Sequence, residues 1–201
     1  MSFNIEDVIE AFAMMSLWEI GAVVLGVIYI VLATKELAWA WVFGFFSTLI
    51  YTILFWEGAL VSSALLNFYY MGMAIYGFLL WRKKEDTPEL KISSWSLSKN
   101  SIVIILGLVV SVVVGYLSQT YAEAKSAYLD AFVLVFSIIA TWMMAQKILQ
   151  NWLYWIVIDS FAIILYLKSG YYATIVLFVI YISLSIYGYR AWMKSYKERE
   201  E

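Results

Sequence analysis

Long apolar runs separated by short polar breaks set the plan of this 201-residue chain. A helix needs roughly 20 mostly apolar residues to cross about 30 Å of hydrocarbon. Seven stretches qualify, at residues 16–34, 37–56, 58–81, 100–118, 127–146, 151–167 and 170–192. The breaks are short except at 82–99, which holds the single proline, Pro88, with Glu85, Asp86, Glu89 and Lys91, and reads as a solvated linker. Residues 1–15 lack the basic start and small-residue cleavage site of a signal peptide; with Glu6, Asp7 and Glu10 on a short amphipathic stretch, they predict a surface helix. The pattern is that of an all-α integral membrane protein.

Composition sharpens this into exclusions. The chain is 64% hydrophobic with a mean hydropathy of +0.83, where soluble domains hold about 45–50% apolar residues. Cysteine and histidine are both absent, which removes disulfides, thiolate nucleophiles, His-based triads and most zinc sites. No nucleophile–base pair or metal-ligand cluster can be assembled from the spans, so no catalytic residue, metal or cofactor is expected and the chain does not read as an enzyme. A net charge of −2 without a basic stripe argues against a nucleic-acid partner.

The basic residues also give an orientation, because Lys and Arg flanks stay cytoplasmic. Lys125 and Lys168 fall on the N-terminal side of the predicted spans. Lys35, Arg82, Lys83, Lys84, Lys91, Lys99, Lys147, Arg190, Lys194, Lys197 and Arg199 fall on the other, which places the N-terminus outside and the C-terminus inside. The chain also matches itself at an offset of 111 residues: Glu19 falls on Asp130, Trp41 on Trp152, Tyr70 on Tyr181, Ile75-Tyr76-Gly77 on Ile186-Tyr187-Gly188, and Trp81 on Trp192. Three spans reverse direction, so a parallel duplication needs one intervening helix. The expected plan is a 3+1+3 parallel repeat of seven transmembrane helices. It divides into an amphipathic segment (1–15), a first repeat (16–81), a cytoplasmic linker (82–99), a connecting helix (100–118), a second repeat (127–192) and a cytoplasmic tail (193–201). Repeats of this kind place substrate near the midplane, between the halves.

The polar residues inside the spans share one depth. Asp159 lies about nine residues beyond Gln150, roughly 14 Å into the membrane, and Asn67, Tyr70 and Tyr181 lie roughly 14–18 Å in from the opposite face. Asn151, Trp155 and Asp159 recur at i, i+4 and i+8 with Trp152 alongside, and Ser63, Asn67, Tyr70 and Ala74 form a comparable face on the third span. A carboxylate at mid-membrane costs about 2.5–3.5 kcal/mol and faces a cavity or a partner. No Lys or Arg in the spans is placed to pair with Asp159, so the positive charge is expected to arrive with a flat cationic ligand, which indole faces also attract. The bland alternative is interhelical glue. Glu19 and Asp130 open the first and fifth spans, where the helix dipole favours an acid in any case, and mark a candidate outer mouth. Trp39, Trp41, Trp56, Trp81 and Trp192 sit at span ends and read as an aromatic belt, and Trp152 is divided between belt and site. Tyr76-Gly77 and Tyr187-Gly188 read as close-packing devices. Gly44, Gly58, Gly72 and Gly170 are the candidate hinges.

Asn151-Trp152-Leu153-Tyr154-Trp155 resembles the N-W-x-x-W signature of the PnuC family of vitamin transporters. Asn67-Phe68-Tyr69-Tyr70 is similar to its N-x-x-Y element, and Ile75-Tyr76-Gly77 with Trp81 to its I-Y-G-x-x-x-W ending of the third helix. The resemblance runs from about Trp18 to Trp192. It implies a SWEET-like plan in the bacterial inner membrane and import of an unphosphorylated vitamin by facilitated diffusion, with a cytoplasmic kinase trapping the product. It further implies that Trp152, Trp155 and Asn151 hold the aromatic ring while Asn67 and Tyr70 supply hydrogen bonds. Where the nicotinamide riboside branch is expected to show an amide and a glutamine, this chain has Asp159 and Asn67. Thiamine is therefore the favoured substrate and nicotinamide riboside the alternative. Proton-coupled symport, a non-transporting scaffold and a homo-oligomer are left open.

Overall fold

Ser16 starts the first helix with a reciprocal cap: its Oγ accepts from the Glu19 backbone N–H at 3.2 Å, and its own N–H donates to Glu19 Oε2 at 2.6 Å. In the computed structural model, which describes residues 9–10, 12–57, 61–83, 88–122, 126–169 and 172–199, seven helices follow. They are α1 (Leu17–Thr34), α2 (Trp39–Glu57), α3 (Val61–Trp81), α4 (Leu97–Ala122), α5 (Ala127–Ala145), α6 (Asn151–Ser169) and α7 (Tyr172–Glu198). Four of them, α1, α4, α5 and α7, are long and apolar enough over their described residues to cross a bilayer. The apolar stretches Trp39–Leu54 and Asn151–Leu167 are shorter.

Two matching turns reverse the chain at one end of the bundle. After α1, the Leu37 N–H bonds the Leu32 carbonyl at 3.2 Å and the Glu36 N–H bonds that of Ala33 at 3.0 Å; after α5, Ile148 bonds Met143 at 2.9 Å and Lys147 bonds Met144 at 3.0 Å. These are Schellman closures, which need a left-handed residue where glycine is usual. Here Glu36 (φ 57°) and Lys147 (φ 51°) take that conformation, and their side chains meet at 2.9 Å. Lys147 is 1% exposed, and its ammonium lies 5.1 Å from the centre of the Trp81 ring. Ser195 of α7 and Arg199 just beyond its end also reach the Glu36 carboxylate, at 2.8 and 3.4 Å.

Packing runs α1–α2–α3–α5–α6–α7 and back to α1, a closed ring of six helices, with α4 outside against α5. The seams α3–α5 and α7–α1 carry matched bonds: Trp81 Nε1 donates to the Ala145 carbonyl at 2.9 Å, and Trp192 Nε1 to that of Ala33 at 3.0 Å. The glycines of the I-Y-G segments do allow close approach, since a Cβ on Gly188 would lie 2.8 Å from Trp152 ring atoms and one on Gly77 would overlap Trp41 more severely.

The structure corrects several boundaries. The 82–99 stretch is not solvated throughout: Ile92 is buried, Ser93 pairs with the α5–α6 turn through its N–H to Lys147 and its carbonyl to Leu149, and α4 begins at Leu97. Gln150 fixes this strap by accepting from the Trp95 N–H and donating to Ser94 Oγ. The tail beyond residue 192 continues α7 to Glu198. Most of the 1–15 segment, and Gly58 and Gly170 among the candidate hinges, lie outside the described residues.

Candidate functional site

The six-helix ring encloses a cavity of about 380 Å³, a volume in the range of small-molecule sites. Every ring helix contributes wall and α4 contributes none. From α6 come Trp152, Trp155 and Asp159, from α3 Asn67 and Tyr70, and from α7 Tyr181 and Ser185. The sequence-predicted residues Trp152, Trp155, Asp159, Asn67, Tyr70 and Tyr181 are thus gathered around one space. Helical periodicity explains the α6 face: 152, 155 and 159 fall within an arc of about 60°, whereas residue 151, at the first position of the helix, lies about 40° outside that arc beyond Trp155.

Asn151 is accordingly not on the wall. It is fully buried at the start of α6, where its side-chain N–H donates to the Ile148 carbonyl at 2.7 Å and braces the α5–α6 turn. Glu19 and Asp130 are not on the wall either. The Glu19 carboxylate is engaged in the α1 cap, and Asp130 is exposed on the first turn of α5. Ser63 has a side chain outside the described set.

Several wall residues were not anticipated. Trp41, read from its position as a belt residue, is 2% exposed and stands on the wall as Trp152 does. Tyr29 packs on Trp41 with ring centres 5.6 Å apart. Ser137 and Thr141 of α5 add hydroxyls to the wall, with the Thr141 hydroxyl donating back to the Ser137 carbonyl at 2.7 Å. Toward the other end of α6, Tyr166 stacks on Phe178 at 5.5 Å, and Phe178 meets Tyr181 edge-on at 6.0 Å. Repeat position was the available signal for Trp41; nothing in the sequence separated Ser137 and Thr141 from serines and threonines that only bond their own helix.

The electrostatics of the space are one-sided. Asp159 is 3% exposed, and in its ionised form the carboxylate only accepts. Among the described residues of the wall there is no lysine or arginine. Aromatic faces line much of the remainder, so the site suits a flat guest with donors or positive charge.

A closed helical ring in a membrane, with a polar, aromatic-walled chamber inside, defines a carrier for a small organic molecule. The family model described as nicotinamide mononucleotide transporter matches residues 16–194, and the chain belongs to that family, the PnuC family of vitamin transporters. The chain is similar to the nicotinamide riboside transporter PnuC of Escherichia coli (strain K12), 26% identical over 200 residues that cover 87% of this chain and 84% of that one. It is also similar to the riboflavin/roseoflavin transporter RibM of Streptomyces davaonensis, 26% identical over 175 residues covering 84% and 81%. A crystal structure of the vitamin B3 transporter PnuC shares the fold, with a TM-score of 0.74 at 22% identity over 98% of this chain and 94% of that one. The protein is a multi-pass bacterial inner-membrane transporter and not an enzyme.

Proposed function

We propose that the chain imports nicotinamide riboside, an unphosphorylated vitamin precursor with a flat cationic ring, by facilitated diffusion. The observation that carries this is Asp159, a buried carboxylate on a cavity wall with Trp152 and Trp155 and without a described basic residue. A cationic guest offsets the cost of holding that charge in the spans, and the indoles add cation–π attraction of about 2 kcal/mol when desolvated. The choice of vitamin is supported by the names of the relatives from Escherichia coli and from Neisseria mucosa, the latter 26% identical over 190 residues. Thiamine is the second reading, favoured by the formal charge of Asp159, which any permanent cation would use.

In this reading Trp152, Trp155, Tyr70, Asn67 and Tyr181 contact the guest. The 3+1+3 plan is supported by like contacts 111 residues apart: Gly77 on Trp41 and Gly188 on Trp152, with Trp41 beside Trp81 and Trp152 beside Trp192. The end bearing Glu36 and Lys147 faces the cytoplasm, as the basic flanks require, and a kinase there traps the product. Competition binding to the purified protein tests the substrate, with nicotinamide riboside expected to displace bound thiamine and riboflavin, and the phosphorylated forms expected not to compete. Liposome uptake with and without a pH gradient tests the mode. Facilitated diffusion predicts no accumulation above equilibrium in either case, and gradient-driven accumulation would show a symporter.

A further inference from the structure

Trp41, Trp81, Trp192 and Trp152 form a row of buried indoles at the cavity end nearest the Glu36 and Lys147 turns, with successive ring centres 5.3, 5.9 and 5.4 Å apart. The row serves as a depth marker, because Gly188 of α7 lies against the Trp152 ring of α6. These two helices are packed neighbours that run in opposite directions across a short connection. Three residues away from that contact, Ser185 on α7 is therefore level with Trp155 on α6, roughly 4.5 Å beyond the row. Asp159, seven residues along α6 from Trp152, lies roughly 6 Å farther still.

Ser185 is 3% exposed and stands on the cavity wall. Other serines of the spans bond back to their own helices: Ser111 donates to the Gly107 carbonyl at 2.8 Å, Ser160 to that of Ile156 at 2.7 Å and Ser183 to that of Val179 at 2.9 Å. The Ser185 hydroxyl makes no such bond, and no other described residue takes its proton. Its oxygen is not sealed in the packing either, unlike the indole nitrogens of Trp41 and Trp152, and the space it borders is the cavity. A buried donor without an acceptor is costly, so this one is satisfied by what enters the chamber. The two sides of that chamber also differ. The positions 111 residues before Asp159 and Ser185 are Thr48 and Ala74, and all four line the wall. The neighbours α6 and α7 thus present a carboxylate and a free hydroxyl, whereas α2 and α3 present a threonine bonded back to Gly44 and a methyl group.

We propose that Ser185 is a specificity-determining residue whose hydroxyl donates to an acceptor on the edge of the guest's flat ring, and so fixes which way round the guest lies. This rests on the transport reading above and adds to it a requirement on the substrate. With the ring against Trp155 and its charge toward Asp159, the donor beside Trp155 meets a ring-borne carbonyl, such as the carboxamide oxygen of nicotinamide riboside. Ser185 then selects for the substituent, while Asp159 selects for charge. A flat cation without a ring-borne acceptor makes no use of Ser185.

Equilibrium binding to the purified full-length protein tests this, with nicotinamide riboside compared against N-ribosylpyridinium, the same cation without its carboxamide. Alanine is smaller than serine and a better helix former, so Ser185→Ala removes the hydroxyl and keeps the helix. The variant is expected to weaken nicotinamide riboside about fivefold, as loss of one hydrogen bond implies, and to change the affinity of N-ribosylpyridinium less than about twofold. Ser183→Ala, which removes a hydroxyl already bonded within α7, is expected to change neither ligand by more than about twofold. Equal losses for both ligands in Ser185→Ala, no loss for either, or the same selective loss in Ser183→Ala would overturn the proposal and leave the transport reading intact. Failure of the wild-type protein to bind any vitamin would overturn the transport reading and the proposal together.

Discussion

At the residue scale, the Glu36–Lys147 pair is the most consequential polar contact outside the cavity. Lys147 is almost fully buried and its described carboxylate partner is Glu36, whereas Glu36 also holds Ser195 and Arg199. Removing one partner of a buried pair is strongly destabilising, by about 3–5 kcal/mol. Glu36→Gln strands a buried ammonium, but Lys147→Met leaves Glu36 with two remaining partners. Thermal unfolding in detergent should therefore show a larger loss for Glu36→Gln than for Lys147→Met. The pair also sets an acid limit. Burial alone raises the Glu36 carboxyl, but the Lys147 hydrogen bond and charge, with Ser195 and Arg199, outweigh it and hold the group below its ordinary value of 4.5. A depressed acid contributes stability that is fully present above the unfolded value and lost as pH falls through the folded one. Stability measured from pH 7 downward should hold to about pH 5 and then fall, with a shallower fall below 4.5 in Glu36→Gln.

At the element scale, the helix starts and turns offer local tests. The α1 cap loses its acceptor in Ser16→Ala, at a cost of about 1 kcal/mol, readable as faster amide exchange in residues 17–20. Overpacking typically costs about 1–3 kcal/mol, so Gly77→Ala should lower the melting temperature more than Gly188→Ala, because its Cβ meets the Trp41 ring more closely.

Much at this scale was legible in the sequence. The apolar runs gave the order of the helices, and the I-Y-G segments gave the close contacts, since only glycine permits them. The 16–34 run differs from α1 by one residue, and the 151–167 run begins where α6 begins. The 58–81 run ends where α3 ends and the 127–146 run begins where α5 begins, but polarity alone misplaced other ends. Residues 97–99 and 119–122 extend α4, and 193–198 extend α7, because amphipathic helix continues past the apolar stretch when side chains such as Ser195 find partners on α1's turn. The Glu36–Lys147 contact was invisible, since both residues sit at span ends where charge is expected anyway. Trp41 was misread for the same reason: a tryptophan at a span end looks like a belt residue unless the ring closure that turns it inward is known.

At the scale of the whole molecule, six helices close on themselves and leave α4 on the outside, packed on α5 where Gly107 and Gly115 let Phe136 and Tyr128 approach. The ring is held at one end by the indole row, the cross-seam carbonyl bonds and the Glu36–Lys147 pair, and the 92–95 strap is bonded to the same turn. In the proposed transport cycle, release of a guest toward that end would part these contacts, with the acid and the stacking indoles serving the binding step and the ion pair the conformational one.

In the proposed function, the buried Asp159 carboxylate inside this ring reads the charge of a flat vitamin. Calorimetric titration of nicotinamide riboside and of neutral nicotinamide into the wild-type protein and Asp159→Asn tests it most directly. The substitution is expected to weaken binding of the cation by about tenfold or more, equivalent to at least about 1.4 kcal/mol, and to alter that of the neutral compound by less than about twofold. Equal losses for both ligands, or undiminished binding of the cation, would contradict it.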